Sequence, residues 1–97
     1  MSDGWDALAL HPDDDVAVAL HDIPAGTVIR IRRGDGFVTL CPSDPIELGH
    51  KVALRDIPAG DTVRKYGEAI GAARAQIPAG SHVHVHNIVS LRARASR

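Results

Sequence analysis

The sequence predicts a mainly β fold in a single small domain, and three observations support this prediction. Segment 29–32 alternates Ile with Arg, which is the pattern of a strand with one buried and one solvated face. The tetrapeptide Ile-Pro-Ala-Gly occurs three times, ending at Gly26, Gly60 and Gly80, and its Pro and Gly suit tight turns. The length of 97 residues leaves room for one domain only.

A longer repeat surrounds two of these turns and indicates the order of the strands. Segments 18–26 and 52–60 differ at a single position, where the first has His21 and the second has Arg55. A β-branched residue follows each of the three turn glycines by three positions, so each unit is predicted to form a strand, a tight turn and a strand. The uneven spacing of the units argues against a solenoid with a fixed period.

The other segments complete the mainly β assignment. Turn residues and apolar runs predict strands over 16–20 and 37–40, a turn over 33–36 and an irregular loop over 42–49. The Ala-rich segment 68–76 predicts one short helix. We place the domain at residues 11–90, between an N-terminal arm (1–10) and a basic, solvated C-terminal tail (91–97).

Composition excludes several classes of protein. Eleven Lys and Arg against twelve Asp and Glu give a net charge of −1, which argues against nucleic acid as a partner. No apolar run approaches the roughly 20 residues that span a membrane. The first ten residues contain acids but no Lys or Arg, so we expect no signal peptide. A lone Cys41 cannot form an internal disulfide, which predicts a reducing, cytoplasmic location.

Histidine is the residue type that is over-represented, with six copies in the chain. In an extended strand His82, His84 and His86 share one face, while Val83 and Val85 point to the core. Two imidazoles two residues apart on a strand can bind one divalent metal. We assign His84 and His86 to such a site before His82, which directly follows a turn. A solvated polar face that happens to use histidine is the alternative.

The repeats carry similar chemistry when they are aligned by their turn glycines. The face of the three histidines corresponds to Val28, Arg30 and Arg32 in the first repeat and to Thr62, Arg64 and Tyr66 in the second. Cationic and hydrogen-bonding groups suit a carboxylate-bearing small molecule or an acidic partner, and a solvated sheet face is the alternative. Lys65 has the parity of a core position, so it must leave at an edge, meet an acid or serve a site.

Three motifs follow one another in an order and spacing that resembles a known module. They are Gly49-His-Lys-Val-Ala, Lys65-Tyr-Gly67 and Val83-His-Val-His-Asn87. Together they resemble the SAF domain of altronate and galactarate dehydratases, which also forms the small subunit of sulfolactate sulfo-lyases. The resemblance spans about residues 11–90. It implies a β-clip fold, in which bent hairpins fold back on themselves.

The resemblance also implies a reaction, a metal and a partner. The dehydratases of this family remove water from a sugar acid with the help of a divalent metal, expected here as Fe²⁺, Mn²⁺ or Mg²⁺, held by this chain or only together with a large subunit. The base and most substrate contacts would come from that large catalytic lyase subunit, so we expect this chain to be inactive alone. Proton removal beside a carboxylate creates an enediolate, whose charge needs a metal ion or cationic groups.

We assign roles to the polar residues of the motifs and of the adjoining strand. The expected roles are catalysis for His50, Lys51, Lys65 and Tyr66, substrate binding for Asn87 and Arg64, and metal binding for His84 and His86. One position departs from the family pattern, because an Asp-Asn pair often precedes the first Val and this chain has Asp14-Asp15. The acidic run beside His11 predicts turns and caps, with metal ligation as the alternative.

Two other functions stay open at this point. The small subunit of a (2R)-sulfolactate sulfo-lyase is the first alternative, since no feature of the sequence separates a dehydratase from a sulfo-lyase. A non-enzymatic β-clip domain that binds a ligand or a metal is the other alternative. Self-association of the isolated chain stays open as well.

Overall fold

The computed structural model describes residues 4–90, and this range contains nine strands and no helix. The strands are β1 (Ala7–Ala9), β2 (Val16–Ala19), β3 (Ile29–Arg33), β4 (Gly36–Leu40), β5 (Lys51–Ala53), β6 (Thr62–Lys65), β7 (Glu68–Ala73), β8 (His82–Val83) and β9 (Ile88–Ser90). They form one six-stranded sheet in the order β4-β3-β1-β2-β5-β8 and one three-stranded sheet in the order β6-β7-β9. The prediction of a mainly β fold is confirmed.

The backbone hydrogen bonds show that the fold consists of two similar halves. In the first half Ile23 and Ile46 exchange two N–H to C=O hydrogen bonds of 2.8 and 2.9 Å. In the second half Ile57 and Ile77 exchange two of 2.8 Å each. Ile46 therefore belongs to a fourth turn equivalent to the three Ile-Pro-Ala-Gly turns, inside the segment predicted as an irregular loop. Gly49 ends this turn with a φ of 82°, close to the 81° of Gly26.

An aspartate anchors the strand that leaves the first turn of each half. In the first half one oxygen of Asp6 accepts the backbone N–H of Arg30 at 2.9 Å, and the other lies 2.8 Å from His21 Nε2. The N–H of Asp6 also donates to the Arg30 carbonyl at 2.8 Å. The second half repeats this arrangement around Asp15. The internal repeat is thus a repeat of structure as well as of sequence.

Two hydrophobic cores lie on opposite faces of the central strands. On β2, Ala17 packs into the first core and Val16 into the second, and on β5 the same division separates Val52 from Ala53. Both cores are built from Ala, Val and Ile; Leu40 and Leu54 lie at the margin of the first, and Ile70 and Ile88 at that of the second. This division of faces determines which side of β5 each neighbouring polar residue occupies.

The predicted helix over 68–76 is wrong, because residues 68–73 form strand β7. Its central Gly71 pairs with β9, and a Cβ added there would lie 2.3 Å from the carbonyl oxygen of Val89. The small residues that favour a helix locally are therefore used for close packing, with Ala72 and Ala73 buried beside Gly71. Composition describes local preference and contains no information about this long-range contact.

The domain begins earlier in the chain than the predicted boundary at residue 11. Residues 1–10 are predicted as an arm, whereas Ala7–Ala9 form β1 between β2 and β3 in the large sheet. Trp5 lies just before this strand, and its ring stacks with the guanidinium of Arg30 at 4.7 Å. The predicted basic tail over 91–97 lies outside the described residues.

Substitution of the turn glycines tests the turn assignment. Gly26 and Gly60 have φ values of 81° and 86°, and an added Cβ would meet no atom within 4 Å at either position. Gly26→Val and Gly60→Val should each lower the free energy of unfolding by about 1–2 kcal/mol, because the cost is that of the left-handed backbone alone. Urea denaturation measures the change. Stability equal to that of the unchanged chain in both variants would contradict the assignment.

The pH dependence of stability tests the equivalence of His21 and Arg55. Hydrogen bonds to the Asp22 carbonyl and the Asp6 carboxylate raise the pKa of His21 above its ordinary value. A raised pKa in the folded state adds stability at low pH that is lost as the pH rises through that pKa. In His21→Arg the charge persists, so the variant should lose less stability than the unchanged chain between about pH 5.5 and about pH 8.5. Parallel urea-denaturation curves for the two chains would refute this expectation.

Candidate functional site

Three histidines meet at the edge of the large sheet where β5 pairs with β8. His82 on β8 lies opposite Val52 on β5, so the two side chains share one face of the sheet. His50 directly precedes β5 and His84 directly follows β8, and the ring of His50 stacks on those of both His82 and His84. The register of one short strand pair therefore brings together two motifs that are 32 residues apart, counted between His50 and His82.

The three imidazole rings are nearly parallel and touch one another. His50 Nδ1 lies 2.8 Å from His82 Nε2, which is a hydrogen bond between the two rings. The ring centroids are separated by 4.6 Å for His50 and His84, 5.0 Å for His50 and His82, and 5.5 Å for His82 and His84. One nitrogen from each of the three rings lies within 4.8 Å of the other two. We call these three residues the histidine cluster.

A tight turn ends β8 and holds the cluster in place. The side-chain oxygen of Asn87 accepts the N–H of His84 at 2.9 Å, and the side-chain nitrogen donates to the carbonyl of His82 at 2.8 Å. The backbone N–H of Asn87 closes the turn on the carbonyl of His84 at 3.1 Å. Both ends of the Asn87 amide are thus occupied by the backbone, which gives this residue a positioning role.

The expectation of an extended strand through residue 86 is wrong beyond Val83. The turn reverses the chain, so Val85 is 71% exposed where the alternation predicts a core residue. His86 is exposed, and its ring is tilted by 35° against that of His82 at 5.4 Å. The structure therefore groups His84 with His82 and His50 and leaves the predicted partner, His86, at the margin. His82, which the sequence places last among the three histidines as a metal ligand, has ring contacts with His50, His84 and His86.

The surroundings of His82 favour its neutral form. Burial lowers the pKa of His82 below its ordinary value, and the neighbouring rings of His50, His86 and His84 lower it further. Asp44 opposes this effect, and its carboxylate accepts the backbone N–H of His82 at 2.9 Å. A neutral imidazole keeps a free lone pair, so His82 is suited to accept a proton, a hydrogen bond or a metal ion.

Lys51 lies on the other face of the same strand and approaches Lys65. Lys51 pairs with the buried Val83, which places it on the face opposite to the histidine cluster. Its burial lowers the pKa of Lys51, and the positive charge of Lys65 lowers it further. Within residues 4–90 neither ammonium group lies within 4 Å of a carboxylate. We call Lys51 and Lys65 the lysine pair.

The position of Lys65 depends on the turn that follows it. Tyr66 and Gly67 both have positive φ, 54° and 79°, as a two-residue hairpin turn of type I′ requires. The buried carboxylate of Asp14 accepts the N–H of Tyr66 at 2.8 Å and that of Gly67 at 2.7 Å. The left-handed backbone of Tyr66 costs about 1–2 kcal/mol relative to a right-handed one. The ring of Tyr66 is held half-exposed, with Lys65 Nζ 4.9 Å from its centroid.

Arg64 occupies a different part of the surface. Its backbone N–H donates to Asp15 Oδ2 at 2.8 Å, and Asp15 Oδ1 accepts from Arg55 Nε at 2.7 Å. Its side chain lines a surface cavity together with Asp13, Asp15, Arg33, Arg55, Asp61 and Thr62. None of the cluster histidines and neither lysine contributes to this cavity. The structure therefore divides the predicted site residues into three separate groups.

Sequence reasoning missed the roles of His82, Asp14 and Asp44. The alignment of Gly49 with Gly80 could have indicated His82, because it gives His82 the position of Lys51, which is a predicted site residue. The acidic run was predicted to form turns and caps, and Asp14 does accept turn N–H groups, although they belong to residues more than 50 positions away. Nothing in the local sequence identifies Asp44 as the residue that receives the N–H of His82.

These features define a small, mainly β domain that presents imidazoles at one sheet edge and ammonium groups on the opposite face. The family model described as the altronate/galactarate dehydratase SAF domain matches residues 5–91. The chain belongs to this family, which confirms the resemblance seen in its motifs.

Named relatives show two settings for the domain. The chain is 46% identical over 80 residues to altronate dehydratase of Escherichia coli, covering 82% of this chain and 15% of that protein. It is 39% identical over 84 residues to galactarate dehydratase (L-threo-forming) of the same organism, covering 84% of this chain and 15% of that protein. It is 34% identical over 87 residues to (2R)-sulfolactate sulfo-lyase subunit alpha of Chromohalobacter salexigens, covering 86% of this chain and 93% of that subunit. The chain thus spans about a seventh of the dehydratases that it matches.

Among the described residues no helix is long and apolar enough to cross a membrane.

Removal of the Asp14 carboxylate tests its role in holding the Tyr66 turn. Asp14→Ala leaves the N–H groups of Tyr66 and Gly67 without their acceptor, so we expect a loss of about 2–4 kcal/mol in the free energy of unfolding. The neighbouring Asp13 is exposed, and Asp13→Ala serves as the matched control with little expected change. Urea denaturation of both variants makes the comparison. An equal effect of the two substitutions would show that Asp14 does not anchor the turn.

Proposed function

We propose that this chain is the SAF-type part of a lyase that removes water from a sugar acid, and that it works together with a larger catalytic part. Membership of the dehydratase SAF family supports the reaction class. The matched region covers only 15% of the altronate and galactarate dehydratases, so most of those proteins lies outside it. This chain therefore contributes binding groups to an active site that a second protein segment completes, and it is inactive alone.

The observation that carries this proposal is the lysine pair. Lys51 and Lys65 are partly buried residues, and within residues 4–90 neither ammonium group lies within 4 Å of a carboxylate, so the pair is suited to bind an anion. A sugar acid supplies such an anion through its carboxylate. Lys51 and Lys65 bind and orient this carboxylate, while the half-exposed hydroxyl end of Tyr66 donates a hydrogen bond beside them.

The histidine cluster lies on the opposite face of β5 from the lysine pair and offers a second set of polar groups to the catalytic part. His50 and His82 already share one hydrogen bond, so a proton can pass along that contact between His50 Nδ1 and His82 Nε2. A divalent metal would add stabilisation of negative charge on the reacting acid. Asn87 acts by fixing His82 and His84 through the turn, and we propose this positioning role in place of a substrate contact.

The small subunit of a (2R)-sulfolactate sulfo-lyase is a second candidate. The chain covers 93% of one sulfo-lyase subunit alpha, and it is 51% identical over 47 residues to another, that of Paracoccus pantotrophus. Sulfolactate is also a carboxylate, so the lysine pair suits both substrates. The word subunit in the names of both relatives supports a partner chain for this candidate.

The cytoplasmic location proposed for the chain is supported by the free Cys41.

The proposed function is tested by co-expressing the chain with a candidate large catalytic lyase chain from the same cell. We expect the two to co-purify and to consume altronate, galactarate or sulfolactate, with no turnover by this chain alone. Formation of the product from each substrate distinguishes the first candidate from the second. Absence of a complex would refute the role as a lyase subunit. A complex that acts on none of the three substrates would refute the proposed reaction.

Neutralising the lysine pair tests the assigned substrate contact. Lys51→Met and Lys65→Met should each lower kcat/KM about 10–100-fold, mostly through KM, because a hydrogen bond to a charged group contributes about 1.5–3 kcal/mol. Arg74→Met removes an exposed cation elsewhere and serves as the control. Unchanged kcat/KM in both lysine variants, at an unchanged affinity for the catalytic chain, would place the carboxylate elsewhere.

A further inference from the structure

We propose that His50, His82 and His84 form a binding site for a divalent transition metal, and that this chain binds the ion on its own. The site deepens the proposed function by assigning the metal to named residues. It rests on the proposed function only for the use of the ion in catalysis. The binding itself can be measured without substrate or partner.

The distances within the cluster come close to those that a metal requires. Metal–nitrogen bonds of about 2.0–2.1 Å in a tetrahedral site separate the ligand nitrogens by roughly 3.3–3.4 Å. Here the three nitrogens lie within 4.8 Å of one another, and His50 Nδ1 and His82 Nε2 are 2.8 Å apart. Small rotations of three side chains bring them to the required spacing. The ion would take the place of the hydrogen bond between the rings of His50 and His82.

The backbone that carries these rings is already fixed. His82 is held by the ladder with β5 and by the Asp44 carboxylate, which accepts its N–H at 2.9 Å. His84 is held by the side-chain oxygen of Asn87 at 2.9 Å. A site whose ligands are ordered before the ion arrives loses little conformational entropy when the ion binds. This ordering distinguishes the cluster from solvated histidines such as His86.

The charges around the cluster also favour a cation. The carboxylate of Glu47 lies 3.8 Å from His50 Nε2, the nitrogen that faces away from His82. This distance is too long for a hydrogen bond, so Glu47 contributes only negative charge beside the ring. Asp44 adds a second negative charge beside His82.

The donor set indicates which ions the site selects. Neutral imidazoles prefer Zn²⁺, Fe²⁺, Ni²⁺ and Cu²⁺, whereas Mg²⁺ prefers carboxylate, carbonyl and water oxygens. Among the three ions expected from the sequence, Fe²⁺ therefore suits the cluster best and Mg²⁺ suits it least. Zn²⁺ and Co²⁺ are air-stable probes of the same coordination preference.

The test uses the isolated chain, with Zn²⁺ titrated by calorimetry and Co²⁺ by visible absorption. We expect one equivalent of each ion to bind and Mg²⁺ in excess not to displace it. His50→Ala, His82→Ala and His84→Ala should each weaken binding at least about 100-fold, because even the loss of an outer partner costs 10–100-fold. His86→Ala and His21→Ala are the matched histidine controls and should leave affinity and stoichiometry unchanged.

Three results would overturn the assignment. One is the absence of saturable binding by the isolated chain. Another is binding that is lost in His86→Ala and kept in His82→Ala, which would return the site to His84 and His86. The third is an equal, weak effect of all five substitutions, as expected for unspecific surface histidines. Thermal melts confirm that each variant is folded, and a Gln substitution replaces any Ala variant that is not. Because no partner is present, these results stand whether or not the chain assembles with a lyase.

Discussion

Two neighbouring carboxylates hold the two sheets of this domain in register. Asp14 receives the N–H groups of Tyr66 and Gly67, and Asp15 receives that of Arg64, so β6 and its turn are bound to the segment that leads into β2. Hydrogen bonds to charged acceptors are among the strongest in proteins, and burial of both aspartates strengthens them. This contact places Lys65 of the small sheet beside the large sheet. The lysine pair exists because of it.

The duplicated architecture explains how the polar groups come together. Each half ends in a glycine turn followed by a short strand, β5 after Gly49 and β8 after Gly80. The two strands pair with each other, so the strand after the second turn of one half lies against its equivalent in the other half. His50 from the first half thereby meets His82 from the second. Neither half alone contains the cluster, although each contains the same turn and the same aspartate anchor.

Much of the fold could be predicted because it is encoded locally. The alternation in 29–32 gives β3, with Ile29 and Ile31 buried and the two arginines exposed. The exceptions depend on contacts between distant residues. Gly71 belongs to a strand because the Val89 carbonyl needs its missing side chain, a fact that Ala-rich composition hides. Strand periodicity likewise ignores the turn at Asn87, which takes His86 away from the strand face. The sequence indicates that Lys65 is a charged residue at a core-facing position of its strand. Only the structure shows that its ammonium group lies beside the ring of Tyr66 and near Lys51.

The ladder that carries the histidine cluster is short and lies at one edge of the large sheet. Only two residue pairs join β5 to β8, whereas five join β3 to β4. Other contacts hold β8 in place, because Val83 is buried in the second core and the Asp44 carboxylate accepts the N–H of His82. Val83 lies between His82 and His84 in the chain, so the spacing of the three rings is tied to the packing of the second core.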